Sequence, residues 1–291
     1  MGGSVTYAAL TMARLGLRVA VLVGLDAAAA AAPELDLLRA AGAHLHPVPL
    51  HRGPVFDNVE TPNGRRQRCI QQSDRLPVTI LSRPGTAGMA PRGWFLAPVA
   101  DELPDAWADA AGPDALVALG WQGLLRTLVA GAFAGRRRPG PSPLVARADL
   151  VGVSRDDLEP DVSLNELLAL LRPGATLALT HGADGGLLVE TDRRGTRRLR
   201  RYPAIASNLA VDPTGAGDTF LAALFAARLE PRLLGRRTRG HLDLVLAAAA
   251  ASLVLEGAGL WGVPTRSAIR ERMRHGRVGW RSISCDVGPD A

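Results

Sequence analysis

The sequence predicts a three-layer α/β protein, a mostly parallel sheet covered on both faces by helices. Two observations carry that expectation. The β-type runs "RVAVLVG" (18–24), "GWFLAP" (93–98), "ALVALG" (115–120), "ADLVGV" (148–153) and "TLALT" (176–180) are continuously apolar rather than alternating, the pattern of strands buried on both sides. Ala/Leu-rich segments such as 33–41 and 163–171 lie between them, and strands alternating with helices build a parallel sheet. No internal repeat and no long linker divides the 291 residues, so one domain is expected over 1–291.

Two regions break the rhythm. Residues 44–80 are polar and carry Asn63-Gly64 between two short β-like runs, which reads as a hairpin standing off the core, a β-lid inserted in the domain or a plain surface hairpin. Residues 185–203 read as a second hairpin, turning near Arg194-Gly195. The Gly/Pro/Arg-rich stretch 135–143 is the expected mobile loop.

Composition narrows the chemistry. All 34 basic residues are Arg, which excludes a Walker A lysine, a Schiff-base lysine and a lysine general base. Cys69 and Cys285 are far apart, so neither a disulfide framework nor a zinc cluster is indicated. The apolar stretch near the start is too short to span a bilayer and no signal peptide opens the chain, so a cytoplasmic protein without a membrane partner is expected. The formal charge is +6, and 193–201 holds six Arg in nine residues. Without interleaved aromatics that run reads as a solvated hairpin face, against a nucleic-acid partner. His44, His46 and His51 have no fourth ligand nearby and read as solvated, while Arg65, Arg66 and Arg68 either reach a phosphate or face water.

The stretch "VDPTGAGDTF" (211–220) precedes a strongly apolar helix. Gly215 and Gly217 permit a tight turn, and the amides of Gly215, Ala216 and Gly217 at a helix N-terminus form an anion hole. Asp218 then has two readings. It caps the helix, or it is a base that takes the proton of a hydroxyl attacking a phosphoryl group bound beside it.

"DPTGAGDTF" closely resembles the C-terminal signature of the ribokinase-like (PfkB) carbohydrate kinase family, and "GGSVTYAALTMARLGLRVAVLVGLD" (2–26) resembles its N-terminal signature. "ADLVGVSRDDLE", "LALTHGADGGLLV" and "AAAAASLVLEGAGLWGVPT" are similar to further family segments, so the resemblance runs from Gly2 to about Met273. It implies a Rossmann-like fold and an ATP-dependent kinase acting on a hydroxyl of a sugar, polyol or nucleoside. Asp218 is implied as catalytic base, with the amides of Gly215, Ala216 and Gly217 stabilising the transition state. Thr180 and Gly182 are placed by it near the nucleotide phosphates, Ser252 and Gly257 near the base, and Gly2 and Gly3 at the acceptor. ATP and Mg²⁺ are the implied cofactors, with room for a monovalent cation near the Asp212 loop and for a homodimer through the lid.

The departures are specific. Where the family has Asn-x-x-Glu this chain has Ser154-Arg155-Asp156-Asp157, leaving water-mediated metal binding to Asp157. Tyr7 replaces an Asn and is expected to alter the substrate pocket. The family has a first strand and a substrate-binding Asp ahead of the Gly-Gly pair, whereas this sequence begins at Met1-Gly2-Gly3. The alternative reading is therefore a catalytically silent or N-terminally truncated relative that binds a small molecule or polyanion without turnover.

Overall fold

The computed structural model describes residues 2–61, 64–235, 241–275 and 285–286. Helix α1 (Ser4–Leu15) leads into β1 (Ala20–Leu25), then α2 (Ala27–Ala30), α3 (Glu34–Ala40) and β2 (His44–Pro49), with β1 and β2 parallel. A hairpin follows, β3 (Val55–Thr61) with β4 (Gly64–Gln71). The body continues through β5 (Gly93–Leu96), β6 (Leu116–Gly120), the short pair β7 (Arg126–Thr127) and β8 (Gly135–Arg136), α4 (Pro143–Arg147), β9 (Leu150–Ser154) and α5 (Leu164–Ala169). It ends with β10 (Thr176–Thr180), β11 (Gly186–Thr191), β12 (Arg197–Tyr202), α6 (Ala216–Leu229), α7 (Leu242–Val254), α8 (Arg266–His275) and β13 (Cys285–Asp286).

The large sheet runs β13-β12-β11-β10-β9-β6-β5. Its β5, β6, β9 and β10 are parallel neighbours, as the unbroken apolar runs predict, while β11 to β13 are antiparallel. Strands β1 and β2 form a sheet of their own, and among the described residues no strand joins that pair to β5. One apolar cluster lies under α1, α6, α7 and α8 and a second on the opposite face with α4 and α5. No helix among the described residues is long and apolar enough to cross a membrane.

Helix α6 positions the site. Gly152 of β9 has no room for a side chain, since a Cβ there would stand 2.7 Å from Leu221. Phe225 meets Phe95 of β5 edge-on at 5.9 Å, and Phe220 stacks on Tyr202 of β12 at 5.2 Å. Each fully buried Leu or Phe contributes ~1.5–3 kcal/mol, so the helix is locked across the sheet with its first turn at the C-terminal edge of the parallel strands. That edge is where ligands bind in open α/β sheets.

Three expectations need correction. The stand-off hairpin begins at Val55, not at residue 44, because 44–49 pairs with β1 inside the body; Asn63 lies outside the described residues. The 135–143 stretch is pinned, with Arg138 paired to Asp161 at 2.7 Å and Glu166 at 2.6 Å. The Arg-rich hairpin turns at Gly195 as expected (φ +87°), but Arg200 points inward, where it meets Glu190 at 3.1 Å and Asp243 at 3.5 Å.

Candidate active site

The turn before α6 is built around two polar anchors and one glycine. Asp212 accepts hydrogen bonds from the amides of Thr214 (2.9 Å) and Gly259 (3.1 Å), tying the turn to the loop after α7. Gly215 sits at φ +81°, and a Cβ there would fall 2.2 Å from Cδ1 of Tyr7. Only glycine fits both constraints. Tyr7, 2% exposed, is thus the floor of the turn.

Among the described residues the amides of Gly215 and Gly217 have no acceptor, while that of Ala216 leans on Pro213 O at 3.4 Å. The cradle therefore offers two open donors and one weakly engaged, rather than three. Nothing stands within 4 Å of where a Gly217 side chain would project. Open amides on the first turn of a 14-residue helix favour negative charge there.

Asp218 occupies that first turn, half-buried. Ser4, the first residue of α1 and 5% exposed, hydrogen-bonds its carboxylate. Two helix N-termini thus converge, and Gly2 and Gly3 arrive beside the acid. Gly3 (φ +107°) receives hydrogen bonds from the Thr6 amide (3.1 Å) and hydroxyl (2.7 Å) on its carbonyl. Burial lifts the Asp218 pKa to about 6; Ser4 and Arg126 pull it down and Asp157 pushes it up. Such a group is ionised at neutral pH yet able to hold a proton.

Asp157 ends a 3-10 turn (Arg155–Asp157) directly off β9. Burial raises its pKa, and Gln122 Nε2, donating to it at 3.0 Å, opposes that rise. The charge of Arg126 acts on Asp157 and Asp218 alike and favours the ionised form of both. Two partly desolvated carboxylates offer oxygen donors of the kind that suits a hard divalent cation such as Mg²⁺. No cluster of three His, Cys, Asp or Glu side chains occurs among the described residues.

Thr180 closes β10 at the same sheet edge and Gly182 (φ +57°) opens the exposed turn Gly182–Asp184 behind it. Ser252 and Gly257 sit deeper. The Ser252 hydroxyl receives Arg272 at 2.6 Å, and Arg272 also pairs with Glu256 at 2.8 Å. A Cβ on Gly257 would stand 2.5 Å from Cα of Gly262. Both residues therefore shape the loop after α7. Three apolar side chains remain exposed on this loop and on the one it is tied to: Leu209 (66%), Val211 (52%) and Trp261 (64%).

Ser4, Gln122 and Arg126 are absent from the sequence reading. Ser4 had a signal, a hydroxyl at the helix start just after Gly-Gly. Gln122 and Arg126 had none, because only the strand order brings residues 122 and 126 against 157 and 218.

Residues 137–266 match the model of the pfkB family of carbohydrate kinases. Among curated proteins there is no match. A pyrophosphate-dependent kinase in the ribokinase family, in a sulfate complex, is 18% identical with a TM-score of 0.70, covering 92% of this chain and 91% of that one. Arabidopsis thaliana ribokinase complexed with ribose and ATP is 18% identical with a TM-score of 0.62, covering 94% and 87%. Burkholderia thailandensis nucleoside kinase in complex with inosine is 18% identical with a TM-score of 0.63, covering 96% and 87%. The chain has the ribokinase fold, and its residues 137–266 match the pfkB carbohydrate kinase family model.

Proposed function

We propose that this chain is a kinase that transfers the terminal phosphoryl group of ATP to a hydroxyl of a sugar, polyol or nucleoside. The observation that carries the reading is the pairing of open amides at Gly215 and Gly217 with an acid whose pKa is lifted to about 6 in the next turn position. The acceptor hydroxyl gives its proton to Asp218 as its oxygen attacks phosphorus; the bond from phosphorus to the leaving nucleoside diphosphate breaks, and Asp218 later returns the proton to solvent. The amides of Gly215, Ala216 and Gly217 stabilise charge on the phosphoryl oxygens. Gly2 and Gly3 leave backbone exposed to the acceptor beside Asp218, and the hairpin Val55–Gln71 is the lid.

Thr180 and Gly182 lie along the phosphates, with Ser252 and Gly257 holding the loop on the base side. Mg²⁺ bound near Asp157 would neutralise phosphate charge. The exposed apolar Leu209, Val211 and Trp261 favour a donor with a base, since apolar faces bind planar rings. Pyrophosphate is the second donor to test, because a neighbour with a TM-score of 0.69 is described with a pyrophosphate analog and myo-inositol.

The test is a transfer assay with labelled ATP or pyrophosphate, Mg²⁺ and a panel of sugars, polyols and nucleosides. Transfer to at least one hydroxyl, lost in Asp218→Asn with donor affinity retained, is expected. No transfer from either donor would leave the silent-relative reading, and turnover in Asp218→Asn would remove Asp218 as the base.

A further inference from the structure

Arg126 begins β7 and is half-buried. One guanidinium nitrogen donates to Val99 O at 3.3 Å, and the guanidinium carbon lies 5.6 Å from the ring centre of Phe56 on the hairpin strand β3. Val99 itself is fixed, since its amide and that of Ala100 donate to the Glu102 carboxylate at 3.0 and 2.7 Å. The remaining donors of Arg126 have no partner among the described residues. Burial disfavours its charge, and the acids Asp157, Asp218 and Glu102 act to keep it.

Other buried arginines here pair directly with carboxylates. Arg272 reaches Ser252, Glu256 and Ala206 O, and Arg200 reaches Glu190 and Asp243. A planar guanidinium with spare donors, facing two acids without pairing to either, is shaped for an oxyanion that arrives between them.

The segment that carries Arg126 is also joined to the hairpin. Gly131 N donates to Cys69 O at 2.7 Å, Cys69 N to Ala132 O at 2.9 Å and Ala134 N to Gln67 O at 2.8 Å, while Arg66 and Arg68 lie over the Phe133 ring at 4.2 and 5.0 Å. At its far end Arg136 donates to Asp156 O at 3.0 Å, next to Asp157.

We propose that Arg126 is a catalytic residue that grips the transferring phosphoryl group opposite the Gly215–Gly217 amides, on a segment stitched both to the hairpin and to the Asp157 turn. This rests on the kinase reading and adds to it a phosphate-binding side chain in a protein that has no lysine.

Sodium pyrophosphate is the probe, titrated calorimetrically without metal into wild type, Arg126→Gln, Arg126→Lys and Asp218→Asn. At least a tenfold loss of affinity is expected in Arg126→Gln, partial recovery in Arg126→Lys, and no loss in Asp218→Asn. Arg126→Lys keeps charge but not the fork, so it separates phosphate contact from packing and serves alone if Arg126→Gln does not fold. In the transfer assay, losing the guanidinium also lifts the acid limb of the pH profile, because Arg126 holds the Asp218 pKa down. Equal pyrophosphate affinity in wild type and both Arg126 variants overturns the proposal. Arg126-dependent binding without any turnover supports the phosphate contact and sinks the kinase reading; no binding to wild type overturns the Arg126 proposal and leaves the kinase reading to the transfer assay.

Discussion

Replacing Asp218 with Asn is expected to abolish phosphoryl transfer and, at neutral pH, to make the protein more stable. The carboxyl rises from 3.8 to about 6 chiefly by burial, and each pKa unit is about 1.4 kcal/mol, so the ionised form costs the fold ~3 kcal/mol relative to the protonated one. Solvent at the open helix start screens part of this, leaving ~1–3 kcal/mol. The sign follows from proton counting. Between about pH 4 and pH 6 the folded protein holds a proton that the unfolded chain has released, so wild-type stability falls as pH rises through that window. The Asp218→Asn protein, with no carboxyl at this position, has no such loss. Urea melts of both proteins across about pH 4 to pH 8 should show curves that meet at the acid end and separate by ~1–3 kcal/mol at the neutral end; other titrating groups cancel in the difference. A variant less stable than wild type at neutral pH, or a gap that ignores pH, would refute the burial of this acid as the source of its reactivity.

Three further outcomes follow from the same geometry. Ser4→Ala removes the hydrogen bond that lowers the Asp218 pKa, so the acid limb of kcat/KM should move upward while donor affinity, read by calorimetry, stays the same. Gly215→Ala drives a Cβ to 2.2 Å from the Tyr7 ring at φ +81°; strain and overpacking together should cost ~2–4 kcal/mol in urea melts. Arg272→Ala strips Ser252 and Glu256 of a shared partner at 2.6 and 2.8 Å and should cost ~1–3 kcal/mol. Burial raises the Glu256 pKa, but the Asn208 amide and Arg272 outweigh it and hold it below its usual value. That stabilisation is present above the unfolded pKa and fades as pH falls, so the gap to wild type should narrow in acid.

Much of this architecture was legible because the residues that build it are local. The strands β5, β6, β9 and β10 fall within the unbroken apolar runs, and the turn at Gly215 is spelled out by "DPTGAGD". The hairpin's lower bound was not legible. "HLHPVP" is polar in sequence, and its membership of the body comes from pairing with β1, a non-local contact. Arg200 likewise reads as one more surface cation until Glu190 and Asp243 are seen beside it. The same reason hides Gln122 and Arg126, since "GWQGLLR" has no spacing that points to residues 157 or 218. The bond that the Ser252 hydroxyl accepts from Arg272 is equally non-local.

The central claim is that main-chain donors before α6 receive the donor's terminal phosphate, and nitrogen-labelled glycine resonances report on it directly. On adding a non-hydrolysable ATP analogue with Mg²⁺, the amide signals of Gly215 and Gly217 should show the large downfield shifts of new hydrogen bonds to phosphate, and the Gly195 signal of the remote hairpin turn should stay still. Binding of the analogue with Gly215 and Gly217 unmoved would contradict the account.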